Sequence, residues 1–314
     1  MRISPFWIGV VLVLVVAGLF TRVIGNEYFF LAAFTVVQLI MLASAWNILG
    51  GFCGYINFGT AGFVALGAYV GVALGKAVSM PLPGQILGAA LVAGVLGLGV
   101  GYMTLRLRGI FFAISTMAIA IILEVFVLNS DYVGGARGLF VIQPSRVAFF
   151  GTNTRFLFFL MTLLAIGTVA VSRYIQMSWI GRGMRALRDD EIAAEGSGVP
   201  TLRLKLLSAS ISIALIGMSG TLIPLFLNFI EPTGLFALNT SVLALAMPMI
   251  GGTSHWIGPV IGAVLLGTLQ QMITVTISSE VNVLLVGLVL MIAVVAAPNG
   301  IIGLVQQFTR KGHT

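Results

Sequence analysis

Long apolar runs separated by short polar connectors organise this chain. The runs fall at 6–22, 29–48, 57–75, 85–105, 109–128, 156–172, 206–229, 241–250, 257–277 and 282–298. A bilayer core takes roughly 17 to 25 helical residues to cross. Lipid offers no partner to backbone N–H and C=O groups, so each run predicts a helix. The expected fold is therefore an all-α, polytopic bundle of about ten transmembrane segments, a single domain over 1–314. The run 241–250 is too short to cross alone. Pro248 and Gly251-Gly252 interrupt it, which predicts a half-helix buried among its neighbours. No small-x-small cleavage site follows the first run, so it reads as an uncleaved span rather than a signal peptide.

The polar positions are as uneven as the apolar ones. Ten of the 25 charged residues lie in one island, Arg173 to Lys205. Within it, Met184 to Glu195 has no Gly or Pro and is rich in Ala, Leu, Arg and Glu, which predicts a helix. Gly196, Gly198 and Pro200 end it within a turn. Ala193 and Ala194 would form a small-residue tip able to lie deep in a partner's groove, with Asp189, Asp190 and Glu191 setting register. The alternative is a solvated helix that only joins two spans. The basic residues of the island send it to the cytoplasm, because short cytoplasmic loops gather Lys and Arg. Counting spans then places Arg2, Arg106, Arg108, Arg310 and Lys311 inside too, with both termini cytoplasmic. Arg137, Arg146 and Arg155 in segment 129–155 fall outside, against the rule.

Charged residues make up 8% of the chain, hydrophobic residues 59%, and the mean hydropathy is +1.12. A water-soluble globule of this size exposes too much surface for such a composition. A net charge of +7 scattered between spans suits an anionic leaflet and not nucleic acid. The 39 glycines include the rows Gly67/Gly71/Gly75, Gly97/Gly101 and Gly258/Gly262, which predict close helix packing. The single Cys53 excludes an internal disulfide or a cysteine metal cluster.

Candidate chemistry is sparse. No G-x-x-x-x-G-K-[ST] occurs; Gly71-Val-Ala-Leu-Gly-Lys-Ala is one residue short, so ATP handling is not expected of this chain. Glu124 is the one carboxylate inside an expected span, read as pairing within the bundle or meeting a cargo amine. Gly217-Met-Ser-Gly220 fits a G-x-S-G nucleophile signature of rhomboid-type intramembrane proteases, with His255 downstream. A serine nucleophile needs its base within hydrogen-bond reach, and the expected topology separates the two; small-residue packing explains the string without chemistry. His255 beside Trp256 reads as an interfacial anchor, and His313 has no partner. Asn47 to Gly54 and Pro248 to His255 echo each other as weak, Gly-interrupted repeats, a pattern that marks pathway interfaces in transporters.

Gly183-Met-Arg-Ala-Leu-Arg-Asp-Asp-Glu-Ile-Ala-Ala-Glu-Gly-Ser-Gly-Val resembles the cytoplasmic coupling loop of bacterial ABC importer permeases of the branched-chain amino acid type, LivM-like. Asn47 to Tyr69 is similar to that family's early signature. Leu105-Arg-Leu-Arg-Gly-Ile-Phe-Phe-Ala-Ile-Ser-Thr, Gly134-Gly-Ala-Arg-Gly and Ile250-Gly-Gly-Thr-Ser-His-Trp-Ile-Gly-Pro-Val-Ile-Gly-Ala resemble three further elements, in family order. Two departures stand out. Thr60 takes the place of a common imidazole and Asn57 that of a smaller hydroxyl, so cargo other than leucine, isoleucine or valine is admissible. Gly196-Ser197 replaces Ala-Leu or Ala-Met, which should shorten the coupling helix.

The resemblance implies a permease subunit of an ATP-driven importer in the bacterial inner membrane, with no cofactor of its own. It implies a second related permease subunit, two cytoplasmic ATP-binding subunits that carry ATP and Mg, and an extracytoplasmic solute-binding protein. Coupling would fall to Arg185, Arg188, Asp189, Asp190, Glu191, Ala193, Ala194 and Gly198. The polar groups in or beside apolar spans, Asn57, Thr60, Ser115 and Thr116, with Phe58 between them, are the expected pathway lining. Ser115 and Thr116 bonding back to their own helix carbonyls is the competing reading. Cargo could equally be another amino acid, an amide, urea or a small carboxylate. A stand-alone carrier or channel is the rival from another class.

Overall fold

The computed structural model describes residues 5–23, 25–104, 107, 109–141, 150–276, 287–288, 291 and 300–303. Helices dominate. In order they are α1 Pro5–Val23, α2 Glu27–Asn47, α3 Thr60–Val78, α4 Leu82–Thr104, α5 Ile110–Leu128, α6 Asn153–Met177, α7 Trp179–Asp189, α8 Glu191–Gly196, α9 Thr201–Thr221, α10 Ile223–Leu227, α11 Pro232–Leu235, α12 Leu238–Gly251 and α13 Ile257–Thr276. A π-helical turn, Ile48–Phe52, extends α2. Two short strands, β1 Leu139–Phe140 and β2 Phe229–Ile230, pair antiparallel with Leu139 opposite Ile230. They tie the loop after α5 to the end of α10, opposite the island.

Among the described residues, eight helical segments are long and apolar enough to cross a membrane, and Ile257–Ile273 is a shorter apolar helix. The chain is thus a multi-pass helical membrane protein. The tenth expected run, 282–298, lies outside the described residues save for 287–288 and 291, as do Arg2, Arg106, Arg108, Arg146, Arg310, Lys311, His313 and both termini. The expected half-helix at 241–250 needs correction. The helix starts at Leu238, runs through Pro248 and stops at Gly251; with α11 it forms a 20-residue segment from Pro232. A proline removes one ladder bond but does not end a helix clasped by neighbours in a bundle. Gly252, at φ 113°, ends it instead.

Glycine sets how close the helices come. An added Cβ on Gly67 of α3 would sit 1.9 Å from the Gly217 carbonyl of α9, and one on Gly220 of α9 would sit 1.9 Å from the Val64 carbonyl of α3. The two backbones therefore touch from both sides. Gly262 meets the Met247 carbonyl in the same way, joining α13 to α12. Gly97 and Gly101 admit Ser210 and Leu206 of α9 against α4. The glycine rows expected from sequence act as packing surfaces, except that Gly75 faces the Gln85 side chain rather than α9. α9 is the most enclosed span, 61% buried, whereas α1 is only 11% buried and stands at the periphery. Leu42, Trp46, Phe63, Val64, Ala93, Ile213 and Ile216 form the core around α9.

One expected breach of the charge rule is locally resolved. Arg155 pairs with Glu27 at 3.1 Å and donates to the Thr21 carbonyl at 3.2 Å, while its guanidinium lies 5.3 Å from the Phe30 ring centroid. Segment 129–155 thus carries less free positive charge than its arginine count suggests.

The glycine crossing generates a prediction. Gly220→Val should lower the yield of monodisperse protein and its melting temperature sharply, since overpacking costs roughly 1–3 kcal/mol or more. Gly167→Ala, where nothing lies within 4 Å, should leave both unchanged. Detergent size-exclusion chromatography and thermal melts compare the two; equal behaviour would contradict the contact.

Candidate functional site

The island folds as two helices at an angle. Ser178 Oγ accepts from Gly181 N to cap α7. Gly181, Met184 and Leu187 are buried on one face of α7, while Arg182, Arg185 and Arg188 are exposed. A single helix from Met184 to Glu195 was the sequence expectation, and the structure corrects it. Asp190 leaves the helix at φ −157°, ψ 111°, and its carboxylate accepts from Ile192 N (2.9 Å) and Ala193 N (3.0 Å). An aspartate satisfies free N–H groups better as an N-cap than it serves a helix interior, so the helix breaks and α8 restarts. α8 ends at Gly196, and Gly198 at φ 80° closes it, with Val199 N donating to the Ala194 carbonyl.

Consequently the island residues divide differently than their charges suggest. Asp189, Asp190, Ile192, Ala193, Glu195 and Gly196 to Gly198 are exposed. Ala194 is buried, 5% exposed, and so belongs to the base of α8 rather than its tip. Glu191 also turns inward. It forms an ion pair with Lys205 of α9, and both side chains are nearly buried. Tyr55 Oη donates to its other oxygen at 3.0 Å. The Lys205 ammonium lies 5.1 Å from the Tyr55 ring centroid, and that ring packs edge-on against Phe112 of α5. Arg188 Nη1 donates to the Gly51 carbonyl at 3.0 Å, below α2. Gly54, at φ 83°, leaves room for the Arg188 stem, which an added Cβ would meet at 2.7 Å. A cleft of about 330 Å³ remains between Tyr55, Gly109 and Arg188 to Glu191. Cys53 also lines it, and burial pushes its thiol up to about 11, so it is not a thiolate.

Residues 53–59 are not helical and return into the bundle. α3 therefore begins at Thr60 rather than at 57, level with Thr116, six residues or about 9 Å up α5. Asn57 is 1% exposed. Its carbonyl accepts from Trp46 Nε1 (2.8 Å) and Thr60 Oγ1 (3.3 Å), and its Oδ1 accepts from Gly59 N (2.8 Å). Phe58 N donates to Thr116 Oγ1 at 3.1 Å, and Ala61 N donates to Ser241 Oγ of α12 at 2.9 Å. Gly59 is obligatory here, because a Cβ would stand 2.4 Å from the Thr116 carbonyl. The Asn57 amide nitrogen has no hydrogen-bond partner among the described residues despite its burial.

Four expected lining residues, Asn57, Phe58, Thr60 and Thr116, thus converge. Ser115 does not join them; its hydroxyl donates to the Phe111 carbonyl of its own helix at 2.8 Å. Thr116 does both, bonding back to Ala113 O while accepting from Phe58. The echoing Gly-Gly stretches meet at one end of the bundle, where Asn47 Nδ2 donates to the Thr253 carbonyl at 3.2 Å. Glu124 is partly buried and makes no hydrogen bond or ion pair with the described residues, so the expected internal partner is not found among them. Ser219 Oγ donates to the Ile216 carbonyl at 2.7 Å, and His255 Nδ1 accepts from Ile257 N, so no hydrogen bond links the two. Burial lowers the His255 pKa, favouring a neutral ring. Sequence reasoning missed Tyr55, Trp46, Ser241 and the exposed Ile192. Only Tyr55 carries a signal, as a hydroxyl in the connector just after the Gly51 turn.

Comparison with known proteins identifies relatives over most of the chain. The family model described as branched-chain amino acid transport system / permease component matches residues 28–295. The high-affinity branched-chain amino acid transport system permease protein LivM of Escherichia coli K12 is 28% identical over 87% of this chain and 69% of its own length. LivH of Salmonella typhimurium is 24% identical over 84% of this chain and 90% of its own. The probable LivH of Methanocaldococcus jannaschii is 26% identical, covering 79% and 82%. No solved structure matches. A family match over so much of the sequence, on a multi-pass bundle with this island, means that the chain belongs to the branched-chain amino acid transport permease family.

Proposed function

We propose that this chain is one permease subunit of an ATP-driven importer in a bacterial inner membrane, moving a branched-chain amino acid or similar small solute by alternating access. Its partners would be a second permease subunit, two cytoplasmic ATP-binding subunits and an extracytoplasmic solute-binding protein. The similarity to both LivM and LivH proteins supports a paired permease. The observation that carries the reading is α8: a capped, six-residue helix whose exposed face joins Ile192 and Ala193 to Asp189, Asp190 and Glu195, fastened from behind by Glu191, Lys205 and Tyr55. An isoleucine 70% exposed between the exposed Asp190 and Glu195 suits a groove on an ATP-binding subunit.

In this mechanism the ATP-binding pair moves α8 as a rigid body. Glu191 passes the displacement to α9 through Lys205 and to residues 53–59 through Tyr55. The latter segment carries Asn57 and leads into Thr60, and its irregular backbone at membrane depth is tolerated because it is buried or lines a passage. Transport requires the two states to make different contacts; the unpartnered Asn57 amide is a donor pair left free for one of them. Selectivity among amino acids, amides or small carboxylates would come largely from the binding protein. A carrier working alone predicts uptake by the isolated chain, and reconstitution of the chain with and without its ATP-binding partners separates the two.

Three outcomes follow from this arrangement. Ile192→Asp should leave the amount of membrane-inserted protein unchanged but cut ATP-driven uptake at least about tenfold, the effect of losing a buried contact of about 1.4 kcal/mol or more; wild-type uptake would contradict docking through α8. Lys205→Met alone strands a buried carboxylate and should destabilise the protein by about 3–5 kcal/mol. Adding Glu191→Gln should recover most of that loss in thermal melts without recovering uptake. Asn57→Leu removes the amide donors together with the acceptor for Gly59 N, so uptake per membrane-inserted copy should fall; unchanged uptake removes Asn57 from the pathway.

A further inference from the structure

Outside the coupling and pathway sites, a cleft of about 460 Å³ opens between peripheral α1 and the bundle. Phe6 and Val13 of α1, Val37 of α2, Ala165 and Val169 of α6 and Val260 of α13 wall it. It is within the size range of small-ligand pockets and faces hydrocarbon. One helical turn beyond Val169, on the same face of α6, stands Arg173. Its guanidinium lies 4.1 Å from the Phe6 ring centroid and 5.7 Å from that of Trp256, and the two rings meet edge to face at 5.4 Å.

Two other arginines packed against the bundle are committed to protein groups. Arg155 pairs with Glu27, and Arg188 is held by Gly51 O and Asp189. Arg173 makes no hydrogen bond or ion pair with the described residues. Gln176, the next polar residue along that face, is committed to Trp256 N and Ser254 O. The guanidinium is thus held flat on two aromatic rings with its N–H donors uncommitted, at the mouth of an apolar cleft. Stacked arginine is the side chain best suited to a phosphate, and Trp256 belongs at the depth of the headgroups.

We infer that this cleft is a binding site for an anionic phospholipid, one acyl chain lying between α1 and α6 and the phosphate resting on Arg173. Charge selects the headgroup. No carboxylate lies within ion-pairing distance of Arg173 among the described residues, so nothing there receives the ammonium of a zwitterionic lipid. The bound chain would complete the packing of α1, which the protein alone covers poorly.

Native mass spectrometry of the intact assembly in mild detergent, offered phosphatidylglycerol or phosphatidylcholine with identical acyl chains, tests this. One phosphatidylglycerol per copy of this chain should be retained, in preference to phosphatidylcholine by roughly fivefold, the effect of one arginine at an anionic headgroup. Arg173→Gln should abolish the preference while retaining some of either lipid. Gly9→Phe, at a cleft-lining position with nothing within 4 Å, should displace both. Equal retention of the two lipids by the unaltered protein, a preference that survives Arg173→Gln, or undiminished retention in Gly9→Phe would each overturn the assignment. The first comparison needs no variant, and none of them depends on transport.

Discussion

Withdrawing a carboxylate and an ammonium from water costs several kcal/mol per ion, which their attraction offsets only when the geometry is good and further hydrogen bonds are made. Glu191 and Lys205 meet both conditions, with Tyr55 supplying a hydrogen bond to one and a ring face to the other. The orientation of the island follows from this contact. Because Glu191 must face inward, Asp190 is left outside to cap α8, and Ile192 and Ala193 are carried to the exposed side. The same three residues join elements far apart in sequence: the turn after α2, the first turn of α9 and, through Phe112, the start of α5.

Behind that contact stands a stiff frame. α3 and α9 touch backbone to backbone through Gly67 and Gly220, a spacing at which neither helix can slide without collision. α4 lies along α9 through Gly97 and Gly101, and α12 and α13 are clamped by Gly251, Gly258 and Gly262. A rigid block of this kind transmits a push applied at its edge. An irregular stretch within it, 53–59, runs directly from Tyr55 to Asn57. The Tyr55 contact behind α8 and the candidate lining are thus two residues apart on the same stretch of backbone, so under the proposed coupling a displacement need not cross the whole bundle.

Much of this was readable in the sequence, for physical reasons. Apolar length fixed the spans because lipid admits few alternatives, and the small-residue rows predicted the helix contacts. Asn57, Thr60, Ser115 and Thr116 were singled out as polar groups in or beside apolar spans, and all but Ser115 converge, with Phe58 between them. Three things could not be read. The break at Asp190 depends on a local competition between capping and helix propensity that composition averages away. The inward turn of Glu191 requires knowing that Lys205 lies behind it, fourteen residues later. Ser115 and Thr116 are adjacent hydroxyls on one helix, and only the approach of Phe58 N distinguishes them. Pro248 misled for a related reason: a proline reads as a break in isolation, while α13 packed against α12 holds the helix together.

Site-directed cross-linking at the exposed face of α8 tests the central claim most directly. In a Cys53→Ser background, Ala193→Cys would be the only thiol of this chain, and a short thiol-to-amine reagent would join it to whatever protein docks there. The account predicts a single dominant product with the ATP-binding subunit and arrest of ATP-driven uptake once it forms. Robust uptake by the assembled transporter with no such product, or with Ala193→Cys fully open to bulky thiol reagents throughout turnover, would contradict it.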